Sequence, residues 1–278
     1  MNSAHIEPQV SVVVPAWGDY AGKALAEALE SLHAQDLPAR VIVVDNASAP
    51  PLGPMEGAEV LRSDSRLSLG AARNLGLEAV RSPYVVLWDA DDLMLPGTLR
   101  FLRDRIASQP DAVLVATSIL EGDPPVPHRW PRRWIYPLAR RRSLFAFADC
   151  VWSVFPTTGA AIMRTAVAQE CGYGDASGGE DWVLGVSLAF RGGIVLDPRP
   201  GRVYRRHPDS VWATQRALPM QVRHGRAVRE RLERDPGVPD WVKRVLPAIA
   251  ALQLVAIFVL HPLAVAGRAI RTSGRSGM

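Results

Sequence analysis

Two hydrophobic periods alternate through the first hundred residues. "VSVVVP" (Val10 to Pro15) and "RVIVVD" (Arg40 to Asp45) are nearly continuous β-branched runs, the pattern of parallel strands covered on both faces. Between them "YAGKALAEALESLHAQ" places Leu25, Ala28, Leu29 and Leu32 at helical spacing, so the chain opens as a β-α-β unit. The alternation repeats. Glu59 to Arg62 predicts a short strand, "LGAARNLGLEAVRS" a helix with Leu69, Ala72, Leu75 or Gly76 and Ala79 inward, and "YVVLWD" (Tyr84 to Asp89) the next strand. "PGTLRFLRDRIAS" reads as a helix with Pro96 in its first turn, where a missing N–H costs nothing, and Ala112 to Thr117 as a strand. This is the α/β class, with a doubly wound, mainly parallel sheet.

The pattern then loosens. Residues 121 to 158 are rich in Pro, Arg and Trp and read as a long excursion over the surface. Gly159 to Arg164 predicts a strand, "EDWVLGVSLAFRG" a helix opened by acidic residues, and "GIVLD" and "RVYRRH" two further strands. From Val245 to Gly267 there is no charge, with Lys243, Arg244 and Arg268 at the flanks, Pro247 and Pro262 bracketing the run and Gln253 interrupting it. Such a segment can span a membrane, dock on a membrane surface, or serve as a core or homodimer helix. The expected division is an α/β domain over 1–212 and an apolar helical extension over 213–278.

Composition sets bounds on this picture. With 278 residues, 48% hydrophobic and 22% charged, the chain is globular and long enough to bury a full core. The net charge of +4 is modest, but Arg129, Arg132, Arg133, Arg140, Arg141 and Arg142 crowd one segment. That suits phosphates, an acidic membrane surface or a solvated loop. No zinc-finger or RNA-binding signature accompanies it, and nucleic acid is not an expected partner. Cys150 and Cys171 are too few for a disulfide framework and lack CxxC spacing, which points to a reducing compartment. The N-terminus lacks the basic start and cleavage pattern of a secretory signal. The expected location is the cytoplasm, at the inner face of the membrane if the tail docks there.

Candidate chemistry gathers at strand ends. "VVLWDADDLMLPGTL" puts Asp89, Asp91 and Asp92 where a buried strand leaves the sheet, and Asp45 ends another strand. Open α/β sheets bind ligands at that edge. A divalent cation would offset the mutual repulsion of such carboxylates, while turn and capping roles are the structural alternative.

Six pieces in order, "VSVVVPAWGD", "VIVVDNAS", "GAARNLGL", "WDADD", "GGEDW" and "YRRHPDS", make the chain resemble the family 2 glycosyltransferases with the GT-A fold, over about residues 9 to 212. The resemblance implies a nucleotide-sugar donor, with UDP the expected nucleotide. Asp45 would meet the base, Pro15, Ala16 and Trp17 would form the loop beneath it, and Arg73 would lie near the nucleotide. Asp89 and Asp91 match the DxD motif, Asp89 binding the ribose and Asp91 a divalent Mn2+ or Mg2+ that bridges the phosphates. His207 in "RRHPDS" would reach the metal or diphosphate. Asp181 matches the catalytic base, and Trp182 would line the acceptor site.

The residues by themselves leave blander roles open: a turn cap for Asp45, core packing for Trp17, a surface stem for Arg73, an ordinary packed side chain for His207, and capping for either Glu180 or Asp181. Asp92 reads as structural. Gly70 would let the backbone approach a ligand, and Gly178 with Gly179 would give Asp181 a mobile approach. The QxxRW motif and membrane helices of processive members are missing, so the expectation is one sugar per encounter, inverting and metal-dependent. The acceptor is unknown, because the Arg/Trp-rich segment matches no family pattern. Two rival functions fit the same fold class less well. A sugar nucleotidyltransferase needs a glycine-rich basic loop after the first strand, which "PAWGDYAGKALAEA" does not supply. A catalytically silent sugar-nucleotide or membrane-binding protein would not need Asp89, Asp91 and Asp181 intact.

Overall fold

The β-branched runs form the centre of one sheet. In the computed structural model, which describes residues 8–127, 135–154, 158–174, 179–205 and 218–260, strands β1 (Val10–Ala16), β2 (Arg40–Asn46), β3 (Ala58–Ser63) and β4 (Tyr84–Leu87) pair in parallel in the order β3-β2-β1-β4. Every residue of β1 is buried. Val10, Val12 and Val14 pack with α1 (Lys23–His33) and α3 (Thr98–Ala107), while Val13 on the opposite face packs with α2 (Leu69–Glu78). Two covered faces favour an apolar run, and the one polar side chain of β1, Ser11, is buried with its hydroxyl hydrogen-bonded to Ser82 Oγ at 2.8 Å.

Leu25, Ala28, Leu29 and Leu32 are all buried on α1, as their spacing predicts. α2 differs. It turns Gly70, Ala72, Arg73, Gly76 and Leu77 inward, leaving Leu69, Leu75 and Ala79 half-buried, because the ion pairs of Arg73 set which face is covered. α3 begins at Thr98 behind Gly97, whose φ of 73° is left-handed, so Pro96 stands outside the first turn.

The second half of the sheet is mixed. From β4 the order runs to β8 (Ala161–Arg164), β6 (Ala112–Glu121), β9 (Gly193–Tyr204) and β5 (Leu93–Met94), with β7 (Val126–Pro127) beside β6. β8 is antiparallel to β4 and β6, β9 is parallel to β6, and β5 is antiparallel to β9. Parallel ladders still carry most of the pairing. The two strands expected at "GIVLD" and "RVYRRH" are one, β9, whose register against β6 shifts between the Leu196 and Pro200 pairings and so absorbs a proline-rich stretch without ending the strand.

Residues 121 to 158 are more than an excursion. α4 (Ile135–Ala139) and α5 (Arg142–Val151) bury Ile135, Phe145, Ala146 and Cys150, apolar positions that the Pro- and Arg-rich composition masks. α6 (Thr165–Cys171) and α7 (Glu180–Arg191) follow, then α8 (Leu218–Arg234), α9 (Asp240–Arg244) and α10 (Leu246–Val255), the last continuing as π-helical turns over Ala256–Leu260. Cys150 of α5, Trp182, Val183 and Val186 of α7, Val228 and Leu232 of α8, Val242 of α9 and Ile249 of α10 share one apolar cluster. Arg191 of α7 adds a two-pronged ion pair to Asp235, at 2.9 and 2.8 Å. Gln253, which interrupts the apolar run of α10, is 1% exposed: Nε2 donates to the Cys150 carbonyl at 2.8 Å and Oε1 accepts from Arg229. Among the described residues no helix is long and apolar enough to cross a membrane.

Candidate active site

The site begins where β4 runs out. β4 ends at Leu87, and the following residues turn, with the Asp92 N–H donating to the Asp89 carbonyl at 3.3 Å and Trp88 Nε1 to the Asp92 carbonyl at 3.1 Å. Strand alternation therefore does not set Asp89 and Asp91 side by side. The turn brings Asp89 and Asp92 onto one cation, Arg202 of β9, whose Nη2 donates to Asp89 Oδ2 at 2.5 Å and pairs with Asp92. Arg202 is 2% exposed and lies 5.8 Å from the Trp88 ring centroid. Gly159 makes room for it: a Cβ there would fall 1.8 Å from Arg202 Nη1. Burial pushes Asp92 up to about 7, with Asp89 and Asp91 adding to the rise and Arg202 opposing it. Asp92 is structural, as expected, since it also accepts from the Arg205 backbone N–H at 2.9 Å. Asp91 is half-buried, and its carbonyl accepts from Arg205 Nε.

Arg73 is the second cation, 2% exposed on the inward face of α2, and not a surface stem. Its Nη2 donates to Asp89 Oδ1 at 2.7 Å, and its Nη1 to Glu180 Oε1 and Asp181 Oδ1, both at 3.1 Å. Three carboxylates from β4 and the start of α7 thus meet on one guanidinium. Burial alone would lower the pKa of Arg73, but Asp181, Tyr173, Asp89 and Glu180 hold it well above its ordinary value. Burial likewise pushes Asp89 up, but Arg202 and Arg73 together keep it below the usual carboxylate range.

Glu180 and Asp181 do not divide into a cap and a working residue. Gly179 occupies the N-cap with no side-chain bond, and both carboxylates turn to Arg73. Burial pushes Glu180 up, against the pull of Arg73. Asp181 is the more exposed, at 29% of its side chain against 9% for Glu180. Its Oδ1 also accepts from Thr158 Oγ1 at 2.7 Å, and that hydroxyl accepts from Tyr173 OH at 2.8 Å.

The glycines serve packing here. Gly179 has a φ of 72°, and a Cβ on it would meet the His224 ring of α8 at 2.7 Å, so the glycine fits a close contact there; Gly178 lies outside the described residues. At Gly70 a Cβ would lie 2.2 Å from the Gly174 carbonyl oxygen: the close approach is chain to chain, not chain to ligand.

The nucleotide-side expectations fare unevenly. Pro15 and Ala16 are the buried last residues of β1, not a loop. Trp17 follows them half-buried, with the Arg66 guanidinium 4.3 Å from its ring centroid and Tyr20 edge-on at 5.6 Å. Asp45 is 0% exposed, and its carboxylate accepts from the Ser48 N–H at 2.9 Å, the Leu52 N–H at 3.1 Å and Arg62. These bonds make it the holder of the turn after β2. His207 lies outside the described residues. Among the described residues, no group of three or more His, Cys, Asp or Glu side chains is arranged to hold a metal ion.

Arg202, Thr158 and Tyr173 were not anticipated. An Arg inside the apolar stretch "GRVY" was the available signal for the first; nothing local marks the other two.

A family model described as Glycosyl transferase family 2 matches residues 11–172. No curated protein matches the chain. Among solved structures, TarS 1–349 of S. aureus in complex with UDP-GlcNAc aligns with a TM-score of 0.64 at 16% identity, over 90% of this chain and 73% of that one. The mannosyltransferase PcManGT of Pyrobaculum calidifontis, in complex with GDP-Man and Mn2+, aligns with a TM-score of 0.59 at 19% identity, over 99% of this chain and 77% of that one. Both likenesses establish the GT-A fold.

Proposed function

The chain belongs to glycosyl transferase family 2 and is a glycosyl transfer enzyme; on that premise we propose that it is an inverting, metal-dependent, non-processive transferase that moves a sugar from a nucleoside diphosphate to an acceptor hydroxyl. One observation carries the reading. Asp89 at the end of β4 and Asp181 at the start of α7 are joined through Arg73, which couples the expected donor side of the cleft to the expected base. UDP-GlcNAc in TarS and GDP-Man in PcManGT support a nucleoside-diphosphate sugar as the donor class. A UDP-sugar remains our expectation.

Charge balance supports a cation. Asp89, Asp92, Glu180 and Asp181 pair with Arg73 and Arg202, Asp91 adds its charge near Arg202, and an excess of carboxylates is a poor place for a diphosphate. The hard oxygens of Asp91 suit Mn2+ or Mg2+, and a metal that shares diphosphate oxygens needs only one or two protein ligands. Asp91, with His207, would hold it. When bound, the ion offsets charge on the departing nucleoside diphosphate.

The protein's own groups do the rest. Arg73 and Arg202 clamp both oxygens of Asp89, fixing the strand-end carboxylate toward the donor. Arg73 and Thr158 fix Oδ1 of Asp181. Asp181 takes the proton of the acceptor hydroxyl as its oxygen bonds to the anomeric carbon. The bond from that carbon to the diphosphate breaks on the opposite face, and the electron pair leaves on the phosphate oxygen.

Asp181→Asn tests this directly. It keeps the size of the side chain but removes the base, so turnover should fall by roughly two to four orders of magnitude. Donor affinity, read by calorimetry or by thermal shift with and without manganese, should hardly change. Near wild-type transfer by Asp181→Asn with Glu180→Gln inactive would move the role to Glu180. Full activity in both variants would end the mechanism.

A further inference from the structure

Gln253 fixes which way α10 faces. With its amide held by Cys150 and Arg229, and with Ile249, Ala256 and Ile257 buried beside it, the opposite side of the helix is turned outward. That side is apolar: Leu252, Leu254, Val255 and Phe258 are 45%, 46%, 54% and 55% exposed. Trp241 of α9, stacked on Phe147 at 6.5 Å, adds a 51% exposed indole. Apolar faces of this kind on a soluble surface mark a binding surface.

The charge around the face selects its partner. From Trp241 to Met278 the sequence holds no Asp or Glu, while Lys243, Arg244, Arg268, Arg271 and Arg275 are all basic. We propose that the outer face of α10, with Trp241 at its edge, docks on an anionic lipid surface, lying in the interface with its basic flank against the headgroups. The inner face of this helix is committed to α5 and α8, which leaves the outer face as the one that can meet lipid, and no described helix is long and apolar enough to cross a membrane. A second copy is disfavoured, since two such faces meeting would bring the Lys243 and Arg244 pairs together, with Asp240 alone among the residues of α9 to offset them. The proposal does not depend on the assignments at the catalytic cluster.

Sedimentation of the full chain with vesicles of phosphatidylcholine, alone or with roughly one-third phosphatidylglycerol, decides the matter. Binding to the anionic vesicles is expected, weakening with added salt. Leu252→Gln, Val255→Gln and Phe258→Gln combined should reduce partitioning at least about 100-fold, because apolar area drives insertion. Lys243→Gln with Arg244→Gln should cost about 20-fold on anionic vesicles and little on neutral ones. This second variant keeps the test intact should the first fail to fold. Absence of binding to anionic vesicles would overturn the proposal. So would binding that survives both sets of substitutions, or a lipid-free dimer in sedimentation velocity that the triple substitution dissolves.

Discussion

Replacing Arg73 by Met should strand Glu180. Met keeps much of the stem volume and helix propensity but removes the guanidinium, and with it bonds of 2.7 Å to Asp89 and 3.1 Å to Glu180 and Asp181. Asp89 retains Arg202, and Asp181 retains Thr158 with 29% of its side chain in solvent, so each of these losses is worth about 1 kcal/mol. Glu180 is different. Its side chain is 9% exposed, Arg73 is its ion-pair partner, and Oε2 already lacks a hydrogen bond among the described residues. A buried carboxylate without its cation must stay charged at high cost or take a proton, about 2–3 kcal/mol near neutral pH. The total, about 4–5 kcal/mol, is a large part of the stability of a typical domain.

Urea unfolding followed by tryptophan fluorescence measures this loss, and Arg73→Met with Glu180→Gln should recover about 2 kcal/mol of it. The pH dependence has a definite sign. Burial already pushes Glu180 above its ordinary value, and losing Arg73 removes the opposing pull. A carboxyl whose folded pKa is raised binds extra protons in the native state, so stability is greatest at low pH and is lost as pH rises toward the folded pKa. Arg73→Met should therefore gain more stability than the wild type on acidification from neutral pH toward the unfolded carboxylate value of about 4.3, and Glu180→Gln should abolish the difference. A loss under 1 kcal/mol, no rescue by Glu180→Gln, or stability rising with pH across that window would refute the reasoning.

Gly159→Ala should displace Arg202 from Asp89, since the new Cβ would lie 1.8 Å from a guanidinium that has no open space to enter; a loss of about 2 kcal/mol with weakened donor binding is expected from unfolding and calorimetry. Asp45→Asn should cost about 2 kcal/mol at neutral pH and leave donor affinity unchanged, which separates a turn-holding carboxylate from one that meets the base. Burial pushes Asp45 up, but the Ser48 and Leu52 N–H groups and Arg62 hold it below its usual value. Its contribution is therefore present above the unfolded value near 4 and lost as pH falls through the folded one. The acid limb of stability in Asp45→Asn should be correspondingly shallower than in the wild type.

Burial on two faces writes itself into sequence; burial on one side of a short helix does not. β1 and β2 could be read because their central positions, Val12 to Val14 and Val41 to Val44, are apolar on both faces, and α1 because its inward positions recur through three turns. α5 is hard to see in the sequence because it follows directly on the Arg140 to Arg142 run, and a ten-residue helix offers too few repeats to stand out from composition. β9 read as two strands because Pro198, Pro200 and Gly201 suggest a break, while its register against β6 depends on a neighbour far away in the chain. Gln253 likewise reads as a polar interruption until Cys150 and Arg229 are set around it.

The candidate site follows the same rule with charge in place of apolarity. Asp89 could be located because a carboxylate at a strand end is conspicuous, and Asp181 because its motif opens a helix. Arg73 was conspicuous as a residue but not in its role. A sequence shows where charges are, and only packing shows which are withdrawn from water and must find each other. Arg73 and Arg202 come from α2 and β9, and Asp89 and Asp181 from β4 and α7, separated by 16 to 113 residues along their hydrogen-bonded pairs. Each buried guanidinium pairs with at least two carboxylates: Arg73 ties the residues after β4 to the start of α7, and Arg202 ties them to β9. The cost of separating them at low dielectric makes this part of the protein rigid before any ligand arrives. Rigidity at the donor edge is what a transfer reaction needs, since the attacking and leaving oxygens must line up across a single carbon.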